Sequence, residues 1–130
     1  MGLRIGLRCA LDGYKVKMYD LGQKQLENAL QVQGKLIKTN LKRGKITAEQ
    51  AEKAVANIST TTSIEEAVQN VDLVSESVIE DIAIKKDLYQ KFAPHFEKDT
   101  ILTTNTSYLL PSMFAADTGN PNHFCAFHFH

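Results

Sequence analysis

The chain has 130 residues, of which 43% are hydrophobic and 23% charged, a composition typical of one globular domain. Lys and Arg number 15, as do Asp and Glu, so the formal net charge is zero and no electrostatic footprint for nucleic acid or an anionic membrane is present. No apolar run approaches the roughly 20 residues that span a bilayer, and no signal-peptide core precedes the first helix, which predicts a cytoplasmic protein. The two cysteines, Cys9 and Cys125, lie in apolar stretches and are expected to be reduced thiols.

A helix that leads into a strand opens the chain. Residues 3–11 carry apolar side chains at helical spacing, and Gly13 ends that pattern as a C-terminal glycine would. Residues 16–20 then alternate as in a strand, and that strand ends on Asp20.

A long polar stretch with helical periodicity follows, from about residue 23 to residue 57. The pattern is interrupted near Gly44, and Thr47 can cap a second helix that has Glu49 and Gln50 in its first turn. The sequence therefore predicts an antiparallel helical hairpin, which is an unusually long insertion for one crossover connection.

Short strands and helices alternate through the rest of the chain. The expected order is a strand at 58–60, a helix in 61–70 with a Ser63–Glu66 capping pattern, a strand in 71–81, a helix in 81–96 stopped by Pro94, a strand in 100–107, a short helix in 109–119 closed near Gly119, and a strand over 123–130. This alternation predicts an α/β fold built from βαβ units, with a Rossmann-like, doubly wound and mainly parallel sheet.

Polar residues stand where the predicted strands end, which is where ligands bind in this architecture. They are Asp20, residues 76–80, residues 105–107 and His128. Asp20 lies about 20 residues past Gly2, the spacing of an acid that binds the adenosine ribose and repels a 2′-phosphate, although a solvated strand-end acid has the same pattern. The Asn-Thr-Ser stretch at 105–107 could bind a ligand or cap the following helix.

The phosphate-binding loop of a dinucleotide fold is incomplete in this sequence. Such a loop needs a preceding strand and the spacing G-x-G-x-x-G, so that backbone N–H groups reach the pyrophosphate at a helix N-terminus. Gly2 is available, but no strand precedes it. We therefore expect the first strand and the leading glycines to be missing.

Three of the four histidines lie in the last eight residues: His123, His128 and His130. On a strand His128 and His130 would share one face, with His123 on the other. Two histidines could bind zinc, but no third ligand has suitable spacing, so no metal site is expected. A general acid/base role suits His128 better, because imidazole titrates near neutral pH and a strand-end side chain can be held rigidly.

Taken in order, five stretches resemble the NAD-binding domain of the L-3-hydroxyacyl-CoA dehydrogenases. They are "MG", "GYKVKMYD", "SESVIEDIAIKKDLY", "ILTTNTS" and "FHFH", and the resemblance covers essentially the whole chain. It implies a partial NAD-binding domain over residues 1–130. It also implies NAD as cofactor and an acyl-CoA substrate, with hydride transfer between (S)-3-hydroxyacyl-CoA and NAD in fatty-acid β-oxidation.

The resemblance also implies roles for single residues. The implied cofactor-binding residues are Gly2 as the last glycine of the phosphate loop, Asp20 as the ribose-binding acid, and Glu80, Lys85 and Ser107 as residues that line the cofactor site. Ser107 would also lie near the oxygen of the substrate. His128 would be the catalytic histidine that exchanges a proton with the 3-hydroxyl group.

Two positions depart from the family pattern: Tyr108 stands where a second serine is usual, and His130 follows Phe129 where asparagine is usual. These departures leave open a related dehydrogenase of a non-CoA substrate such as carnitine or a sugar acid, or a non-catalytic nucleotide-binding remnant. The helical C-terminal domain of the family is expected to be absent from this chain. The full-length protein would be a homodimer, and the 130 residues alone would be poorly stable and nearly inactive.

Overall fold

A computed structural model describes residues 1–129, and its helices and strands alternate as the sequence predicts. The helices are α1 (Gly2–Leu11), α2 (Gln23–Lys42), α3 (Ala48–Asn57), α4 (Ile64–Val68) and α5 (Ile82–Phe92). The strands are β1 (Val16–Tyr19), β2 (Ile58–Thr61), β3 (Leu73–Glu76), β4 (Ile101–Thr104) and β5 (Phe124–Ala126). Among residues 1–129, every helix is too short or too polar to cross a membrane.

The chain divides into two compact units, and the first consists of residue 1 and residues 3–63. In this unit β1 and β2 form a parallel two-stranded sheet in which Val16 lies opposite Ile58. Small and branched apolar side chains from α1, α2 and α3 form its core: Leu7, Ala10, Ile37, Ala51 and Ala54. The predicted hairpin of two helices is confirmed as α2 and α3.

The signals that end α1 and begin α3 act as the sequence predicts. Gly13 has a φ of +95°, a left-handed conformation that glycine adopts without steric cost, and it stands just past the end of α1. At the start of α3 the Thr47 hydroxyl accepts a hydrogen bond from the Gln50 N–H at 3.1 Å. The Gln50 side chain accepts one from the Thr47 N–H at 2.9 Å. Such a capping box satisfies two N–H groups that a helix start leaves without partners.

The second unit consists, among the described residues, of residue 2 and residues 64–129, and it contains a parallel sheet in the order β3–β4–β5. Tyr89, Leu102 and Phe114 form the buried centre of its core. The Tyr89 ring packs edge-on against Phe114 and Phe124, with ring centroids 5.7 and 5.5 Å apart. These contacts fix α5, which carries Tyr89, against the three-stranded sheet.

The register of the second sheet aligns the ends of its first two strands. Leu73 pairs with Ile101, and three residues later Glu76 pairs with Thr104, the last residue of β4. Because the strands are parallel, the loops after β3 and β4 leave the sheet at one edge. The Rossmann-like α/β fold is thus confirmed, with all strand pairs parallel in the described part of the chain.

Two predictions for the last 25 residues were wrong in detail. The expected short helix in 109–119 is replaced by two 3₁₀ turns, Pro111–Met113 and Ala115–Thr118, which are separated by Phe114 with a φ of −121°, outside the helical range. The expected strand over 123–130 is limited to β5, since β4 offers it only three paired residues.

The histidines are therefore not arranged on one strand. His123 ends the 3₁₀ turn Pro121–His123, and His128 lies after β5. The prediction that His123 and His128 lie on opposite faces of one strand was therefore wrong. His130 lies outside the described residues.

Candidate cofactor and catalytic site

A buried carboxylate, Glu76, lies at the end of β3 and organises the polar groups around it. Its two oxygens accept hydrogen bonds from the Lys85 ammonium at 2.8 and 2.9 Å. Oε2 also accepts from the Tyr89 hydroxyl at 2.5 Å and from the Thr104 hydroxyl at 2.7 Å. Oε1 accepts from the Val78 N–H at 2.7 Å. A buried charge is tolerable only when it is paired and hydrogen-bonded in this way.

The partners of Glu76 are themselves removed from water. The side chains of Lys85 and Glu76 are 1% and 2% exposed, so the pair is shielded from solvent screening. Burial and the hydrogen bond to Glu76 raise the pKa of the Tyr89 phenol far above its ordinary range. Tyr89 therefore remains a hydrogen-bond donor to Glu76 at every pH at which the protein is expected to work.

A second carboxylate, Glu80, binds the turn that follows β4. Glu80 Oε2 accepts a hydrogen bond from the Thr106 hydroxyl at 2.8 Å, and Oε1 accepts one from the Ser107 N–H at 3.3 Å. The Lys85 ammonium lies 3.9 Å from the same Oε1 atom. The predicted residues Glu80, Lys85 and Ser107 are thus brought together at one edge of the sheet, with Glu80 partly exposed between the other two.

The segment that carries His128 is tied to the same end of β4 by two hydrogen bonds. The Phe127 N–H donates to the Thr104 carbonyl at 3.0 Å, and the Phe129 N–H donates to Asn105 Oδ1 at 2.7 Å. These bonds fix the backbone on both sides of His128, whose side chain is exposed.

The other two predicted residues belong to the N-terminal part of the chain. Gly2 is the first residue of α1, as expected for a glycine that opens a helix. Asp20 directly follows β1, and its Oδ1 atom accepts a hydrogen bond from the Gly22 N–H at 3.0 Å. This bond holds the carboxylate at the strand end, and a carboxylate has further acceptor capacity for ligand hydroxyls.

Metal ligation receives no support from the geometry. Within residues 1–129 no group of three or more His, Cys, Asp or Glu side chains is arranged to hold a metal ion. His123 Nδ1 is buried without a hydrogen-bond partner in this part of the chain.

Sequence reasoning missed how four residues connect this site. The sequence indicated the polar stretches that contain Glu76 and Asn105. It did not indicate that Glu76 is buried or that Asn105 binds the segment that contains His128. It gave no role to Tyr89 or Thr104. The available signal was a Glu inside a four-residue strand, because an acid at a buried strand position requires cationic and hydroxyl partners nearby.

Comparison with known proteins decides the family. The family model described as "3-hydroxyacyl-CoA dehydrogenase, NAD binding domain" matches residues 1–130. The chain belongs to the 3-hydroxyacyl-CoA dehydrogenase family. Because the match is to the NAD-binding domain of that family, the cofactor is NAD.

Members of the dehydrogenase family and related structures match nearly the whole chain. The "Fatty acid oxidation complex subunit alpha" of Idiomarina loihiensis is 33% identical over 129 residues, which are 99% of this chain and 18% of the relative. A crystal structure of 3-hydroxybutyryl-CoA dehydrogenase from Escherichia coli K12 superimposes with a TM-score of 0.94 at 32% identity, covering 99% of this chain and 27% of that one. A diketoreductase superimposes with a TM-score of 0.92 at 33% identity, covering 99% and 46%. The chain spans 18% of the length of the Idiomarina loihiensis protein and 27% of the length of a second curated relative.

Each of the two units carries polar groups that fit the NAD of this family. Asp20 offers a carboxylate of the kind that binds ribose hydroxyls, and Ser107 is exposed after β4. The Ser77 hydroxyl, just after β3, is buried and has no hydrogen-bond partner within residues 1–129. An unpaired buried hydroxyl at a strand end is a group that a polar ligand can satisfy.

Proposed function

We propose that this chain is the cofactor-binding part of an NAD-dependent dehydrogenase that interconverts (S)-3-hydroxyacyl-CoA and 3-ketoacyl-CoA in fatty-acid metabolism. Family membership supports the reaction class, and the small share of each curated relative that the chain spans supports a larger enzyme. We propose that a helical C-terminal domain completes the substrate site and forms a homodimer. The cytoplasmic location stays a prediction of the sequence.

One observation carries the proposal for the catalytic residues. The hydrogen bond from the Phe129 N–H to Asn105 Oδ1 joins the segment containing His128 to the loop that begins two residues before Ser107. A base and a hydroxyl that are both anchored at the end of β4 are suited to act on the same substrate oxygen. This anchoring supports a role for His128 as general base and for Ser107 as its neighbour.

In the proposed mechanism the chain's own residues bind the cofactor and move one proton. Bound NAD supplies the acceptor for the hydride on C3 of the substrate. Asp20 would accept hydrogen bonds from the adenosine ribose. Glu80, which binds the Ser107 N–H, would line the cofactor site, with Lys85 buried behind it as the partner of Glu76. His128 removes the proton of the 3-hydroxyl as the C–O single bond becomes the carbonyl, while the Ser107 hydroxyl orients that oxygen. In the reverse direction His128 returns the proton to the ketone oxygen.

The test is a His128→Gln substitution in the complete protein that carries this chain. Glutamine keeps a hydrogen-bonding side chain but cannot exchange a proton near neutral pH, so turnover of acetoacetyl-CoA with NADH should fall by about 10²- to 10⁴-fold. The NADH dissociation constant, measured by NADH fluorescence, should change little. Unchanged turnover would reject His128 as the base.

A second candidate keeps the hydride chemistry and changes the substrate to one without CoA. It is favoured by the 33% identical diketoreductase and by Tyr108, which is 72% exposed directly after Ser107. A bulky, exposed ring at this position changes the shape presented to the acyl group. Comparing kcat/KM for acetoacetyl-CoA with that for small dicarbonyl acids, carnitine derivatives and sugar acids separates the two candidates.

A further inference from the structure

The turn that carries Ser107 is held by one carboxylate and one hydroxyl. Glu80 Oε2 accepts a hydrogen bond from the Thr106 hydroxyl at 2.8 Å, and Glu80 Oε1 accepts one from the Ser107 N–H at 3.3 Å. The same Thr106 hydroxyl accepts a hydrogen bond from the Leu109 N–H at 2.9 Å. Thr106 therefore uses its hydroxyl as donor and as acceptor at once: one bond reaches a residue after β3, and the other closes the turn on itself.

Both Thr106 bonds have features that make them effective restraints. Thr106 is 6% exposed, so water has little access to the bond between its hydroxyl and Glu80. That bond ends on a carboxylate, and hydrogen bonds to an ionised group are roughly twice as strong as those between neutral groups. Leu109 packs against the buried core of the second unit, so the N–H that Thr106 accepts belongs to a residue that is itself fixed. The backbone is thus held on both sides of Ser107.

Ser107 contributes only its backbone to this arrangement. Its side chain is exposed, and its hydroxyl takes part in none of the three hydrogen bonds that hold the turn. We infer that Thr106 is a positioning residue: by bridging Glu80 and the Leu109 N–H, it fixes the turn that presents the Ser107 hydroxyl to the substrate oxygen. The inference deepens the proposed function, because it rests on Ser107 as the residue that orients that oxygen.

The test compares three substitutions in the complete protein that carries this chain. Thr106→Val keeps the shape of the side chain but removes both hydrogen bonds, so kcat for acetoacetyl-CoA reduction with NADH should fall about tenfold because Ser107 is no longer held. Thr106→Ser keeps the hydroxyl and should stay within about threefold of the wild type. Thr100→Val is the matched control: it removes the bond from a buried threonine hydroxyl to the Val71 carbonyl, at 3.0 Å and before β4, and should leave kcat unchanged.

A double-mutant cycle shows whether Thr106 acts through Ser107. Ser107→Ala alone should lower kcat, because the hydroxyl that orients the substrate oxygen is removed. Adding Thr106→Val to Ser107→Ala should then lower kcat by less than about twofold further, since the group that Thr106 positions is already absent. A second tenfold loss in the double variant would show that the two effects are independent and would overturn the inference.

Hydrogen exchange of the Ser107 amide, measured by NMR, observes the turn directly. The Asn70 amide is the reference, because it also donates to a glutamate carboxylate, Glu97 Oε1 at 2.8 Å, within the same unit of the fold. In Thr106→Val, exchange at Ser107 should become about tenfold faster relative to Asn70, since the ratio of the two rates removes changes in the stability of the unit. An unchanged ratio would show that Glu80 holds Ser107 without Thr106.

Failure of this inference and failure of the proposed function give different results. Wild-type turnover in Ser107→Ala would reject the proposed role of Ser107, and the inference with it. Impaired turnover in Ser107→Ala with wild-type turnover in Thr106→Val would reject the inference alone. Equal losses in Thr106→Val and Thr100→Val, or a Thr106→Ser variant no better than Thr106→Val, would also reject it. If Thr106→Val does not fold, Thr106→Ala removes the same two bonds and is judged by the same comparisons.

Discussion

Replacing Lys85 with Met should destabilise the second unit far more than the same replacement at Lys91 on the same helix. Lys85 is paired with Glu76 in a buried site, where removal of one partner leaves an uncompensated charge and costs about 3–5 kcal/mol. Tyr89 and Thr104 still donate to Glu76, so we expect the lower end, about 3 kcal/mol. Lys91 is 59% exposed and pairs with Asp87 four residues earlier, an interaction worth about 0.3–0.5 kcal/mol.

Urea unfolding followed by far-UV circular dichroism measures this difference. The Lys85→Met variant should lose about 3 kcal/mol of unfolding free energy, and should be unfolded without urea only if the starting stability is below about 3 kcal/mol. The Lys91→Met variant should lose less than about 0.5 kcal/mol. Equal losses in the two variants would refute the reasoning, because they would show that the buried ammonium gains nothing more from Glu76 than an exposed one gains from its neighbour.

Two further predictions concern the residues around the same strand ends. The pKa of the Tyr89 phenol is raised in the folded state, so the folded protein keeps a proton that the unfolded chain loses above about pH 10. The stabilisation that Tyr89 gives the folded state is therefore complete below that pH. Above it the unfolding free energy should fall by about 1.4 kcal/mol per pH unit. Alkaline urea titrations of wild type and Tyr89→Phe test this, and the same slope in both would contradict it. Replacing Asn105 with Ala removes the acceptor of the Phe129 N–H and should lower kcat of the complete protein about tenfold by releasing the backbone beside His128. Replacing Asn120 with Ala removes the hydrogen bond that Asn120 Nδ2 donates to the Lys98 carbonyl and should leave kcat unchanged. Equal losses of kcat in the Asn105 and Asn120 variants would show that only stability is affected.

Local signals were enough to predict most helices and strands. Thr47 and Gln50 form the expected capping box, Gly13 follows α1 with a positive φ, and Pro94 lies just beyond the last residue of α5. Each of these signals acts through the backbone within four residues, which is why a single sequence contains it.

Contacts between residues distant in the chain could not be predicted in the same way. The last strand was overestimated because "HFCAFHFH" is β-prone along its whole length, whereas its true length depends on how far β4 can pair with it. The roles of Glu76 and Asn105 depend on partners between 9 and 28 residues away. Their residue types indicated polar strand ends, but not which of them is buried in the core.

The most direct test of the proposed function is a pair of binding titrations with NADH and NADPH on the complete protein, for wild type and for Asp20→Ala. A ribose-binding carboxylate after β1 should make wild type bind NADH at least about tenfold more tightly than NADPH, since a 2′-phosphate is repelled there. Asp20→Ala should weaken NADH binding and narrow that preference. Wild-type protein that binds neither nucleotide, or that binds NADPH as tightly as NADH, would contradict the assignment of this chain as an NAD-dependent dehydrogenase domain with Asp20 as its ribose ligand.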